Sequence, residues 1–108
     1  MVQQGLIRVM IVDDHAIVRQ GLIVSLENFE DFEIVGSLGD AREAIALCSN
    51  QRVDVVIMDM VMPIMDGVTA TRIIRERSPQ TQVIALTSFD SDNTVQQALQ
   101  AGAISYLM

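Results

Sequence analysis

Residues 7–14 read IRVMIVDD: a short apolar run, Ile7–Val12, that passes without a turn into two aspartates. A run of this length, apolar but for Arg8, fits a strand buried on both sides. The same form recurs downstream. Val55–Met58 leads into Asp59, and Val83–Leu86 leads into Thr87 and Ser88. Two further short runs, Phe32–Val35 and Ile104–Met108, read as strands, the first ended by Gly36 and Gly39.

Between these runs the period changes from strand to helix. Val18, Leu22 and Leu26 repeat every four residues, and Ala41, Ala44, Ile45 and Cys48 fall at i, i+3, i+4 and i+7. Ala70, Ile73 and Ile74 mark a third helix; Val95, Ala98 and Leu99 mark a fourth, with Gly102 as its C-cap. Five strands with helical crossovers predict an α/β fold, a doubly wound parallel sheet with helices on both faces. The common strand order for such a sheet is the flavodoxin-like 2-1-3-4-5.

In that order the carboxyl ends of the first, third and fourth strands are neighbours, where open α/β sheets bind their ligands. Asp13 lies 46 residues before Asp59, two strand–helix units, and Thr87 lies 28 residues beyond it, one unit. Asp13, Asp14, Asp59 and Thr87 are therefore expected in one cleft. Crowded carboxylates repel, and a divalent cation offsets the repulsion. Oxygen-only ligation with few carboxylates favours Mg²⁺. With an acidic pair holding the metal, Asp59 could attack a phosphoryl group to give an aspartyl phosphate, the metal and the Thr87 hydroxyl stabilising the transition state. Taken singly, each acid could equally be a helix cap or a loop residue.

Composition bounds the possibilities. The 108 residues allow one domain, spanning 1–108, and half of them are apolar, which excludes intrinsic disorder. Fourteen acidic residues against seven arginines, with no lysine, give a net charge of −7 and disfavour a nucleic-acid surface. The single Cys48 excludes a disulfide framework, and no apolar run is long enough for a membrane span. A cytoplasmic location without a membrane partner is expected. Cys48 and the methionines around Asp59 (Met58, Met60, Met62 and Met65) read as core filling, Arg72, Arg75 and Arg77 as the wet face of a helix, and His15 as a residue at a helix start.

VDD at 12–14, DMVMPIMDG at 59–67, LTS at 86–88 and AGAISYL at 101–107 together resemble the response regulator receiver domains of two-component signalling. DDHAIVRQGL at 13–22 is similar to the LuxR-type transcriptional regulators within that family. The resemblance implies Asp59 as phosphoacceptor from a sensor histidine kinase, and Asp13 and Asp14 as the Mg²⁺ pair, with the Val61 backbone carbonyl as a further ligand. It implies Thr87 as the switch hydroxyl and Tyr106 as the aromatic that follows it. It implies a phosphorylation-controlled switch that modifies only itself, controlling DNA through an output domain outside this segment. The family's lysine after the fifth strand and its final helix would both fall beyond Met108. The chain is accordingly read as a shortened segment, expected to cover its open face by forming a homodimer or an exchanged dimer. A Mg²⁺-dependent aspartyl-phosphate phosphatase and a degenerate receiver that only binds a protein are the competing readings.

Overall fold

Strand β1 (Ile7–Val12) is buried from Val9 onward, and its alternate residues supply two separate cores. Met10 and Val12 point to one face and Val9 and Ile11 to the other. The computed structural model describes residues 5–86 and 92–107, with backbone only for 92–94. After β1 the order is α1 (Ala16–Glu27), β2 (Phe32–Leu38), α2 (Ala41–Asn50), β3 (Val55–Asp59), α3 (Gly67–Arg77), β4 (Gln82–Leu86), α4 (Asp92–Ala101) and β5 (Ser105–Leu107). All strand pairs are parallel, and the sheet order is β2-β1-β3-β4-β5, the common order expected for such a sheet.

The larger core packs Met10, Val12, Val56 and Met58 against Ala41, Ala44 and Cys48 of α2, Ala70 and Ile74 of α3, and Ala98 of α4. Small residues on the helices let them lie close to the branched strand residues, and Met60 and Met62 fill the remainder. Burial pushes the Cys48 thiol up to about 11, so it behaves as a core residue. On the opposite face, Val9, Ile11 and Ile57 meet Leu22, Ile23 and Leu26 of α1, yet α1 contains no buried residue. Ile17, Val18 and Val24 are exposed, as are Ile104, Tyr106 and Leu107 around β5.

Two sequence expectations need correction. Strand β2 does not stop at Gly36 but continues to Leu38, with a register shift against β1 between Val9 and Met10. A Cβ on Gly36 would lie 3.3 Å from Met10 Cγ, so this glycine admits a core side chain. Arg75 is half-buried rather than on the fully wet face. Its Nη1 donates to the carbonyls of Pro79 and Thr81, both at 2.6 Å, and its stem lies under Gly102. Arg72 and Arg77 are exposed as expected.

Candidate functional site

The strand ends position the acids. Asp13 follows β1 directly, its backbone held by Asp13 N donating to the Leu38 carbonyl at 3.0 Å and by Arg19 Nη1 donating to the Asp13 carbonyl at 2.6 Å. Asp59 is the last residue of β3, paired with Leu86 of β4. Both are buried, at 3% and 4% exposure, which is unusual for carboxylates. Asp14 is more exposed and lies beside them.

Asp13, Asp14, His15 and Asp59 each offer one ligand atom, and these four atoms all lie within 4.8 Å of one another. Burial, above all, raises the Asp59 carboxyl above the ordinary carboxylate range, and the charges of Asp13 and Asp14 add to it; the Val61 N–H opposes the rise. That N–H donates to Asp59 Oδ1 at 3.0 Å. The donor set fits a divalent cation: three carboxylates that disfavour one another gain a common counter-charge, and their oxygens suit Mg²⁺.

His15, expected only at a helix start, is the fourth member of the cluster. It is the N-cap of α1 but makes no side-chain capping bond. Instead its imidazole turns toward the acids, with Nδ1 2.9 Å from Asp13 Oδ1 and 3.1 Å from Asp14 Oδ1. The hydrogen bond to Asp13 is the main reason its pKa is raised, followed by the charge of Asp14. Only the position of His15 directly after the acid pair signalled this in the sequence.

The loop after Asp59 is shaped by close approach. Gly67 N donates to the Met60 carbonyl at 3.1 Å, and a Cβ at Gly67 would collide with the Asp59 carbonyl oxygen. Only glycine fits there. Ile64 takes a left-handed conformation, φ 73°, and is largely exposed, as is Val61. Asp66 caps α3 by accepting from Thr69 N at 2.8 Å. Tyr106 is half-exposed on β5, paired with Ala85 of β4. Thr87, expected at the end of β4, lies outside the described residues, as do Ser88 and Met108.

The family model for the response regulator receiver domain matches residues 9–108. The transcriptional regulatory protein LiaR of Bacillus subtilis is 42% identical over 103 residues, covering 95% of this chain and 49% of LiaR. The chain spans about half the length of the curated relatives it matches. Among solved structures, the signal receiver domain of the response regulator NarL from Mycobacterium tuberculosis superimposes with a TM-score of 0.90 at 32% identity, covering 96% of this chain and 84% of that one. A LuxR-family two-component response regulator from Aurantimonas sp. SI85-9A1 superimposes with a TM-score of 0.87 at 33% identity, covering 94% and 73%. With acids at the ends of β1 and β3, five parallel strands in this order and these likenesses, the chain belongs to the response regulator receiver domain family, in its LuxR-type subgroup.

Proposed function

We propose that this segment is the phosphorylation-controlled switch of a longer, cytoplasmic transcription regulator. It takes a phosphoryl group from the phosphohistidine of a sensor histidine kinase onto Asp59. The observation that carries the reading is the burial of Asp59 at the end of β3 with Asp13 and Asp14 converging on it. Relatives named as transcriptional regulators, and about twice as long, support an attached DNA-binding output domain.

Asp13, Asp14 and Asp59 would hold Mg²⁺, with the Val61 carbonyl as a further oxygen. Bound there, the ion supplies charge neutralisation for phosphoryl transfer. The Val61 N–H fixes Asp59 Oδ1, leaving Oδ2 to attack phosphorus. The new O–P bond forms as the donor's N–P bond breaks, and the electron pair returns to the kinase imidazole, which takes up a proton. Thr87 would then close on the phosphoryl oxygens and Tyr106 would follow it. Met60 and Val61 put no acid next to Asp59, which favours self-modification over turnover of external substrates. The exposed apolar residues of α1 and β5 support a homodimer or an exchanged dimer.

Intact-mass measurement after incubation with Mg²⁺ and a small acyl-phosphate donor tests the reading. One added phosphoryl group is expected, none in Asp59→Asn and none in excess chelator. Equal uptake by Asp59→Asn would refute the assignment.

A further inference from the structure

His15 stands where an oxygen-only cation site would have no nitrogen. Its main chain is fixed, with His15 N donating to Asp13 Oδ1 at 2.7 Å, and its ring is turned toward the carboxylates although 65% of the side chain is exposed. A surface imidazole at a helix start gains nothing from capping here, because no capping bond is made. The orientation gives Nδ1 a hydrogen bond to Asp13 and a close contact with Asp14, and in doing so it brings Nδ1 into the same small volume as the Asp13, Asp14 and Asp59 oxygens. Arg19 and the Leu38 carbonyl hold the Asp13 backbone, so acids and imidazole sit on a common fixed frame.

We propose that His15 Nδ1, placed 2.9 Å and 3.1 Å from the Asp13 and Asp14 carboxylates, is a divalent-cation ligand that sets the metal preference of this site. The proposal rests on the metal-binding reading above and deepens it. Hard Mg²⁺ takes oxygen ligands and keeps its waters. Later first-row ions bind nitrogen donors more strongly, in the order Mn²⁺ < Co²⁺ < Ni²⁺. A site of three carboxylates and one imidazole therefore gains affinity for Co²⁺ over Mg²⁺ that three carboxylates alone would lack. Without a cation, Nδ1 donates to Asp13 Oδ1; a cation entering between them would displace that proton, the ring keeping its other proton on Nε2 and offering the Nδ1 lone pair to the metal.

The test uses the whole tag-free chain, with Mg²⁺ and Co²⁺ as probes in calorimetric titration and Mn²⁺ as probe in pulsed electron paramagnetic resonance. His15 is the sole histidine, so an imidazole nitrogen on the metal can come from nowhere else in the chain. His15→Gln keeps a polar group and removes the nitrogen ligand. We expect it to weaken Co²⁺ by at least about tenfold, the loss seen when even an outer-shell partner is removed, and to leave Mg²⁺ nearly unchanged. A ¹⁴N coupling to Mn²⁺ is expected in the parent chain and absent from the variant. If Asp13→Asn weakens both metals while His15→Gln leaves their ratio unchanged and no ¹⁴N coupling is seen, the site stands and the role of His15 is overturned. If neither Mg²⁺ nor Co²⁺ binds in a manner that depends on Asp13, the metal-binding reading itself is overturned, and this proposal with it.

Discussion

The two ends of the sheet treat their charged residues in opposite ways. At the amino end, Arg8 N donates to Asp54 Oδ2, Arg8 Nε to the Arg52 carbonyl and Arg8 Nη2 to Gln51 Oε1, while Nη1 lies 3.5 Å from Glu33. Two buried hydroxyls there are paired as well, Thr81 Oγ1 donating to the Val53 carbonyl at 2.7 Å and Ser78 Oγ to the Cys48 carbonyl at 3.2 Å, although the buried Gln82 Oε1 has no partner among the described residues. At the carboxyl end, two buried carboxylates and a third acid face one another, with His15 beside them and, among the described residues, Arg19 reaching Asp13 only at its backbone carbonyl. The amino end is built to hold the fold together. The carboxyl end keeps an electrostatic cost that the proposed cation and phosphoryl group would relieve.

Substitutions at the two ends should therefore differ in size and in sign. The largest effect is expected at Gly67→Ala, where the new Cβ meets the Asp59 carbonyl and lies 2.7 Å from Met60 Cα. Backbone must move, and a loss of about 3 kcal/mol in chemical denaturation is expected; a loss below the scatter of the measurement would show that this loop is looser than described. At the amino end, Thr81→Val keeps the shape but leaves the buried Val53 carbonyl without its donor, costing about 1–3 kcal/mol.

Asp59→Asn should have the opposite sign. Because the folded carboxyl is raised, mainly by burial, the folded chain holds its proton to higher pH than the unfolded chain does. Stability in metal-free buffer should then fall as pH rises from the ordinary carboxylate range through the Asp59 value, and stay lower above it. Asp59→Asn removes that fall and should raise the melting temperature at neutral pH by about 4–8 °C if the relief is worth about 1 kcal/mol. Thermal melts of both chains across the acidic range would decide; parallel curves would contradict the picture. The smallest effect belongs to Glu33→Gln, which breaks a half-exposed ion pair worth about 0–1 kcal/mol, and which added salt should shrink further.

The acid end was legible in the sequence because strand runs ending in Asp13, Asp14 and Asp59 at two-unit spacing constrain the topology almost alone. The amino end was not. Thr81 and Ser78 sit among ordinary polar turn residues, and nothing in their spacing announces that they bond to carbonyls 28 and 30 residues away. Arg75 misled for a similar reason: a helical charge near a C-terminus reads as wet until the following turn folds back over it. Gly36 misled because a glycine inside a strand, accommodating Met10 at a register shift, has the same local signature as a glycine that ends one. His15 was visible by position, but its direction follows from the fixed backbone around Asp13.

The central claim is that the costly end of the sheet is the phosphoacceptor, and chemical trapping tests it at a single atom. An aspartyl phosphate reduced by borohydride becomes homoserine, whereas a free carboxylate does not react. After treatment with a small acyl-phosphate donor and Mg²⁺, peptide sequencing by mass spectrometry should find homoserine at position 59, and at no other acid. Homoserine at Asp13, Asp14 or elsewhere with Asp59 intact, or the same yield at Asp59 in excess chelator, would contradict the account.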